Sequence, residues 1–163
     1  MYVHFIDTSV FLNILNVPGR NQQHDEVMKE LKELLKEKDK NVFVLPFATI
    51  IETGNHIAHG GDGNQRREAA ERFTKCIEKT INNKAPWQYY GNQLTSDDLK
   101  IISREFPNCA MRGEGFGDLS IIRAYEKYRD ETPAISKIRI WSIDRHLKNN
   151  YQETVERIQL RNL

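Results

Sequence analysis

Four carboxylates stand beyond short apolar or glycine-rich runs: Asp7 after Tyr2-Val3-His4-Phe5-Ile6, Glu52 in the helical stretch that follows Val42-Phe43-Val44-Leu45, Asp118 after the glycine-rich Gly113-Glu114-Gly115-Phe116-Gly117, and Asp144 after Ile138-Arg139-Ile140-Trp141-Ser142-Ile143. None is a sequence neighbour of another. Gathered in one place they would repel each other at neutral pH, and burial would raise their pKa values further unless positive charge sat among them. Mg²⁺ and Mn²⁺ take hard oxygen donors of this kind, whereas zinc favours nitrogen and sulfur. A divalent ion so held can orient water for in-line attack on a phosphodiester and stabilise the leaving oxygen. Taken singly, each acid also fits a plainer role: Asp7 or Asp118 as a helix cap, Glu52 as a solvent-facing helical residue, Asp144 as a turn residue. Their joint placement speaks for chemistry.

That placement depends on the elements around them. Tyr2–Ile6 reads as a strand and Val10–Leu15 as a helix. Asp25 is expected to cap a second helix that carries Val27, Leu31, Leu34 and Leu35 on one face. Val42–Leu45, stopped by Pro46, has the continuous apolar pattern of a strand buried on both faces, and a helix with Phe47, Ile50, Ile51 and Ile57 follows. Ala70, Phe73, Ile77 and Ile81 mark the next helix, while residues 83–94 show no period and read as a connecting excursion. Thr95 and Asp98 form an acidic capping box for a short helix expected to stop before Pro107. Leu119, Ile122, Ala124, Tyr125 and Tyr128 mark another helix, 138–143 a strand, and 155–160 a final edge strand. Strands alternating with helices predict a single α/β domain over 1–163, a three-layer α/β/α arrangement with a central, mostly parallel sheet. In such a sheet ligands bind beyond the carboxyl ends of the strands, the edge at which all four acids fall.

Composition narrows the class of protein. The 24 Lys and Arg against 23 Asp and Glu give a net charge of +1, which argues against a protein that coats nucleic acid by bulk positive charge. With 39% hydrophobic and 29% charged residues the chain is too apolar for disorder, yet it has no apolar run approaching the roughly 20 residues that span a bilayer. The start lacks a signal-peptide pattern, so the expectation is a soluble, cytoplasmic protein with no membrane partner. Cys76 and Cys109 lack CxxC spacing and read as ordinary thiols.

The segments Phe5-Ile6-Asp7-Thr8-Ser9-Val10-Phe11, Thr49-Ile50-Ile51-Glu52, Gly117-Asp118-Leu119-Ser120-Ile121-Ile122 and Trp141-Ser142-Ile143-Asp144-Arg145-His146-Leu147 resemble, in order and character, the four acidic motifs of PIN-domain ribonucleases. The resemblance implies a PIN-like fold and a metal-dependent endoribonuclease. In it Asp7, Glu52, Asp118 and Asp144 serve as metal and catalytic carboxylates for Mg²⁺ or Mn²⁺. Ser9 and Ser142 match the family's hydroxyl positions and would orient a carboxylate or a metal-held water. Small PIN proteins are often toxins of toxin–antitoxin pairs, so the expected partners are an RNA substrate, an antitoxin protein and a second copy of the chain. The sequence is longer than such toxins through excursions at 59–67 and 83–97. A structure-specific DNA nuclease of the same fold and a non-catalytic RNA- or protein-binding scaffold are the alternatives. A haloacid-dehalogenase-like phosphatase is disfavoured, since it needs a second aspartate where Ser9 stands.

Arg112, Arg123, Arg145 and His146, with Lys148, are candidates for contacts to the phosphate backbone, against the plainer reading of solvated surface charge. His56 and His59 lie one helical turn apart without a third ligand of suitable spacing, which argues against zinc. Trp87, Tyr89 and Tyr90 could stack on bases, although aromatic clusters more often build cores. The glycine-rich 113–117 segment lacks the Lys-Ser or Lys-Thr end of a P-loop.

Overall fold

Short β-branched and aromatic runs form the central strands because they can be buried beneath helices on both faces. The computed structural model describes residues 1–91 and 94–155. In chain order the elements are β1 (Tyr2–Ile6), α1 (Thr8–Ile14), α2 (His24–Leu35), β2 (Asn41–Pro46), α3 (Phe47–Ala58), α4 (Gly63–Ile81), β3 (Trp87–Tyr90), α5 (Ser96–Met111), α6 (Phe116–Glu131), β4 (Lys137–Trp141), α7 (Arg145–Asn150) and β5 (Gln152–Thr154). The sheet order is β3-β2-β1-β4-β5. Strands β1 to β4 pair in parallel, and β5 runs antiparallel to β4. This is the expected α/β architecture, a mostly parallel sheet between helical layers.

Alternation along β1 divides the core. Val3 and Phe5 face a cluster with Ile121, Tyr125, Ile138 and Ile140. Ile6, on the opposite face, packs with Val10, Phe11, Phe43, Leu45 and Trp141. The chain steps outward from β1 through β2 to β3, then crosses to place β4 on the other side of β1. The carboxyl ends of β1 and β4 therefore flank the point where strand order reverses, where a crevice opens.

Several local expectations are corrected. Gln23, not Asp25, holds the N-cap position of α2, without a side-chain capping bond; Asp25 lies in the first turn, where a carboxylate favours the positive end of the helix dipole. Helix α4 turns Ala69 and Thr80 inward and leaves Ile81 exposed, so its buried stripe is offset from the one marked by Ala70 and Ile81. Trp87–Tyr90 is an edge strand paired with β2 rather than an excursion. Helix α5 runs through Pro107 to Met111. Pro107 is exposed, so its missing N–H falls on the solvent side, while Ile102 and Cys109 keep the buried face continuous. Strand β4 ends at Trp141, three residues before Asp144. Of the strand expected over 155–160, residues 156–160 lie outside the described residues; β5 precedes it. Among the described residues no helix is long and apolar enough to cross a membrane.

Candidate active site

Asp7 is where β1 becomes α1. Its N–H still donates to Trp141 O (3.1 Å), continuing the β1–β4 pairing, while its carbonyl accepts from Phe11 N (3.0 Å) as the first helical bond. The side chain is buried, with 4% of its surface exposed. Oδ2 accepts hydrogen bonds from the hydroxyls of Ser9 and Ser142, both at 2.7 Å, and a longer one from Ser9 N at 3.4 Å. Those hydroxyls are themselves fixed: Ile143 N donates to Ser9 Oγ and Asp144 N to Ser142 Oγ, each at 3.0 Å. Ser9 and Ser142 thus clamp one oxygen of Asp7 and tie the end of β1 to the turn after β4. None of these bonds uses Oδ1.

Glu52 is carried by α3, which the Thr49 hydroxyl anchors to Ile6 O at 2.8 Å. Three residues on, Glu52 lies on the same helical face and is brought to the end of β1. The Thr8 hydroxyl donates to Glu52 Oε2 at 2.8 Å. On the other side, α6 presents Gly117, and a Cβ built there would overlap the Glu52 carboxylate. Glycine here makes room for that carboxylate, which any larger residue would displace.

Asp118, the third residue of α6, faces the same space. Burial and then the negative charges of Asp7, Glu52 and Asp144 push its carboxyl from 3.8 up to about 6, partly offset by a hydrogen bond from the Gly115 backbone. Asp144 caps α7, with Oδ1 accepting from His146 N (2.8 Å) and Leu147 N (3.2 Å). Asp7, Glu52 and Asp144 therefore share one design, in which one oxygen is anchored and the other stays out of the anchoring bonds.

All four predicted acids line one cavity of about 330 Å³, with Thr8, Asn13, Arg20 and His56 also in its wall. Among the described residues no three Asp, Glu, His or Cys side chains already close into a metal cage. The acids instead bring four carboxylates to one open cavity, and Asp118 bears part of their mutual repulsion. Gly117, by omitting a Cβ, lets the Glu52 carboxylate close that ring. This donor set fits a hard divalent cation that retains part of its water shell.

The basic candidates are placed differently. Arg112 pairs with Glu114 (3.0 Å), and Arg123 with Asp98 (2.8 Å) and Glu126 (3.4 Å). His146 Nε2 lies 3.5 Å from Glu114. None of these three lines the acidic cavity. Arg145 and Lys148 line an adjoining groove that shares Gln23 and Ile143 with it. Asp98 is a buried anchor: Lys127, Thr95 and Arg123 hold its carboxyl well below the usual carboxylate range, fastening α5 to α6. Trp87 is buried, with its indole N–H on Thr80 Oγ1 at 2.8 Å, whereas Tyr89 is exposed. His59 Nδ1 bonds Asn55 O and stands apart from the cavity, while His56 lines it.

Thr8, Asn13, Arg20 and His56 were not expected at the site. His56 had a legible signal, lying one turn from Glu52 on the same helix face. Arg20, in a loop after Pro18-Gly19, had none. Compared with protein-family models, with curated proteins and with solved structures, the chain finds no match in any of the three.

Proposed function

We propose that the chain is a metal-dependent endoribonuclease that hydrolyses RNA phosphodiester bonds at the cavity formed by Asp7, Glu52, Asp118 and Asp144. One observation carries the reading: four acids from four distant segments share one cavity, and Asp118 is held near 6 by its burial and by the other three. A group of carboxylates that costs the fold stability fits a site selected to bind positive charge. When bound, Mg²⁺ or Mn²⁺ supplies Lewis-acid polarisation of the phosphoryl group and charge neutralisation for the leaving oxygen.

The chain's own residues supply position. The clamp of Ser9 and Ser142 on Asp7 Oδ2 fixes the carboxylate at the cavity wall and leaves Oδ1 out of those bonds, so one oxygen stays available as a donor. Thr8 does the same for Glu52 by holding Oε2. With its carboxyl raised only to about 6, Asp118 is largely ionised at neutral pH and completes the ring of carboxylates; positive charge in the cavity would relieve their repulsion. In hydrolysis the water oxygen bonds to phosphorus as the bond to the leaving oxygen breaks, and the water's proton balances the alkoxide. Holding nucleophile and phosphate in one small cavity lowers the barrier through orientation.

RNA is preferred to DNA on the resemblance of the four motifs to PIN-domain ribonucleases. Parallel cleavage of RNA and DNA oligonucleotides with Mg²⁺, Mn²⁺ or EDTA tests both points. The expected result is RNA cleavage that EDTA abolishes and that folded Asp7→Asn and Asp118→Asn proteins lack. Activity that survives chelation sinks the mechanism. A toxin role, with an antitoxin as partner, predicts that expressing the parent chain slows growth while Asp7→Asn does not; equal growth removes it.

A further inference from the structure

The acidic cavity by itself repels the anion it is proposed to cut, and a cationic side chain in its wall would add to the attraction a bound cation supplies. Among the described residues lining it, Arg20 is the only Lys or Arg. Arg20 is exposed, and its side chain forms no ion pair with the four acids beside it or with any other described carboxylate. A guanidinium that served only to neutralise the cluster would sit on a carboxylate, as Arg123 and Lys127 sit on Asp98.

The loop that carries Arg20 is held from both sides. Asn13, buried on α1, donates to Ser9 O at 2.9 Å and accepts from Gln23 N at 2.9 Å, and its own carbonyl bonds His24 Nδ1 at 2.6 Å. From α4, Arg72 donates to Leu15 O and Asn16 O, both at 3.1 Å. Gly19 turns the chain at φ +79°, and Gln22 Nε2 donates back to Gly19 O at 2.9 Å. The backbone on either side of Arg20 is thus fixed to α1 and α4, while the guanidinium is left to the cavity.

We propose that Arg20 is a substrate-contacting residue, its guanidinium taking a non-bridging oxygen of the phosphodiester held over the acids. The inference rests on the nuclease reading and deepens it. A permanently charged, planar fork suits a phosphate better than a flexible ammonium and holds its charge at any working pH. Asn13 and Arg72 act through the loop as positioning residues.

The test uses the full chain in the Asp118→Asn background, so that the probe stays intact, and a short fluorescein-labelled single-stranded RNA of mixed sequence. Anisotropy at several salt concentrations is expected to show Arg20→Gln weakening binding about tenfold, the loss of one charge-assisted hydrogen bond. It should also flatten the dependence of log K on log salt by about 0.7, the signature of one lost phosphate contact on a single strand. Arg20→Lys should restore the slope, and melting should be unchanged because the side chain is exposed. An RNA with neutral methylphosphonate linkages should bind the parent and Arg20→Gln proteins alike. Unaltered affinity and slope in Arg20→Gln, beside a parent chain that cleaves RNA, overturn this inference alone. A parent chain that neither cleaves nor binds RNA overturns the nuclease reading and this inference with it.

Discussion

Replacing Asp118 with Asn should stabilise the metal-free protein, although the residue stands at the centre of the proposed site. The Asp118 carboxyl rises from 3.8 to about 6 on folding, chiefly through burial and then through Asp7, Glu52 and Asp144. At 1.36 kcal/mol per pH unit this corresponds to roughly 3 kcal/mol of lost stability, an upper figure because the side chain is only partly buried. The sign follows from linkage. A carboxyl whose folded pKa is raised contributes most below 3.8, and that contribution disappears as pH climbs from 3.8 to about 6, with no further change above. At neutral pH the parent chain bears the whole penalty. Asn carries no charge and its amide oxygen can still accept from the Gly115 backbone. For a chain of this length, roughly 2–3 kcal/mol moves Tm by about 5–10 °C. Thermal melts in EDTA at neutral pH should show that rise in Asp118→Asn, and the gap should close as the buffer approaches pH 4. Millimolar Mg²⁺ or Mn²⁺ should raise the Tm of the parent more than that of the variant, since a ligand of the folded state stabilises by mass action. An equal or lower Tm for Asp118→Asn in EDTA would refute the account of mutually repelling acids.

Gly117→Ala should lower RNA cleavage about 100-fold by displacing Glu52, as a misplacement of about 1 Å can do, while helical content measured by circular dichroism holds. Loss of fold together with activity would count against so local an effect. Ser142→Ala removes a donor from buried Asp7 Oδ2 and the acceptor of Asp144 N, so urea unfolding should show a loss of about 1–3 kcal/mol, with cleavage also reduced. His4 provides a pH effect of opposite sign to that of Asp118. Burial, opposed by its bond to Asn41, lowers its pKa from 6.5 to about 4, and Arg139 Nε donates to its Nδ1 at 2.8 Å, which fixes the neutral ring with its proton on Nε2. Stability should therefore be full above pH 6.5 and fall by about 3 kcal/mol as pH drops towards 4. Urea unfolding of Asp118→Asn isolates this slope, and a flat profile between those pH values would refute it.

Much of the fold could be read locally. The run Tyr2–Ile6 followed by Asp7-Thr8-Ser9 reads as strand, cap and helix because alternation and capping are properties of adjacent residues. Glu52 and Asp118 were assigned to the right helices for the same reason. The failures lie where a neighbour in space decides. Trp87–Tyr90 has no period of its own and becomes a strand because β2 offers an unpaired edge. Pro107 should end a helix, yet α5 continues because burial of Ile102 and Cys109 on one face outweighs one lost hydrogen bond on the exposed face. The buried stripe of α4 is offset because α3, β3 and the 15–17 loop, not periodicity alone, determine which side of a helix faces inward.

The sequence by itself determined the strands β1, β2 and β4, the helices around them and the segments that carry the four acids, since these depend on residue type and spacing over a few positions. Tertiary structure alone decided what those acids are to one another. The hydroxyls of Ser9 and Ser142, 133 positions apart, meet on Asp7 only because β4 pairs with β1 rather than with β3. Gly117 closes on Glu52, Asp118 is driven to about 6, and Arg20 is left facing the cavity while Arg112 and Arg123 are paired elsewhere. Charge repulsion and pairing fall off over a few ångströms, and distances of that size between remote segments are fixed by strand order and helix packing.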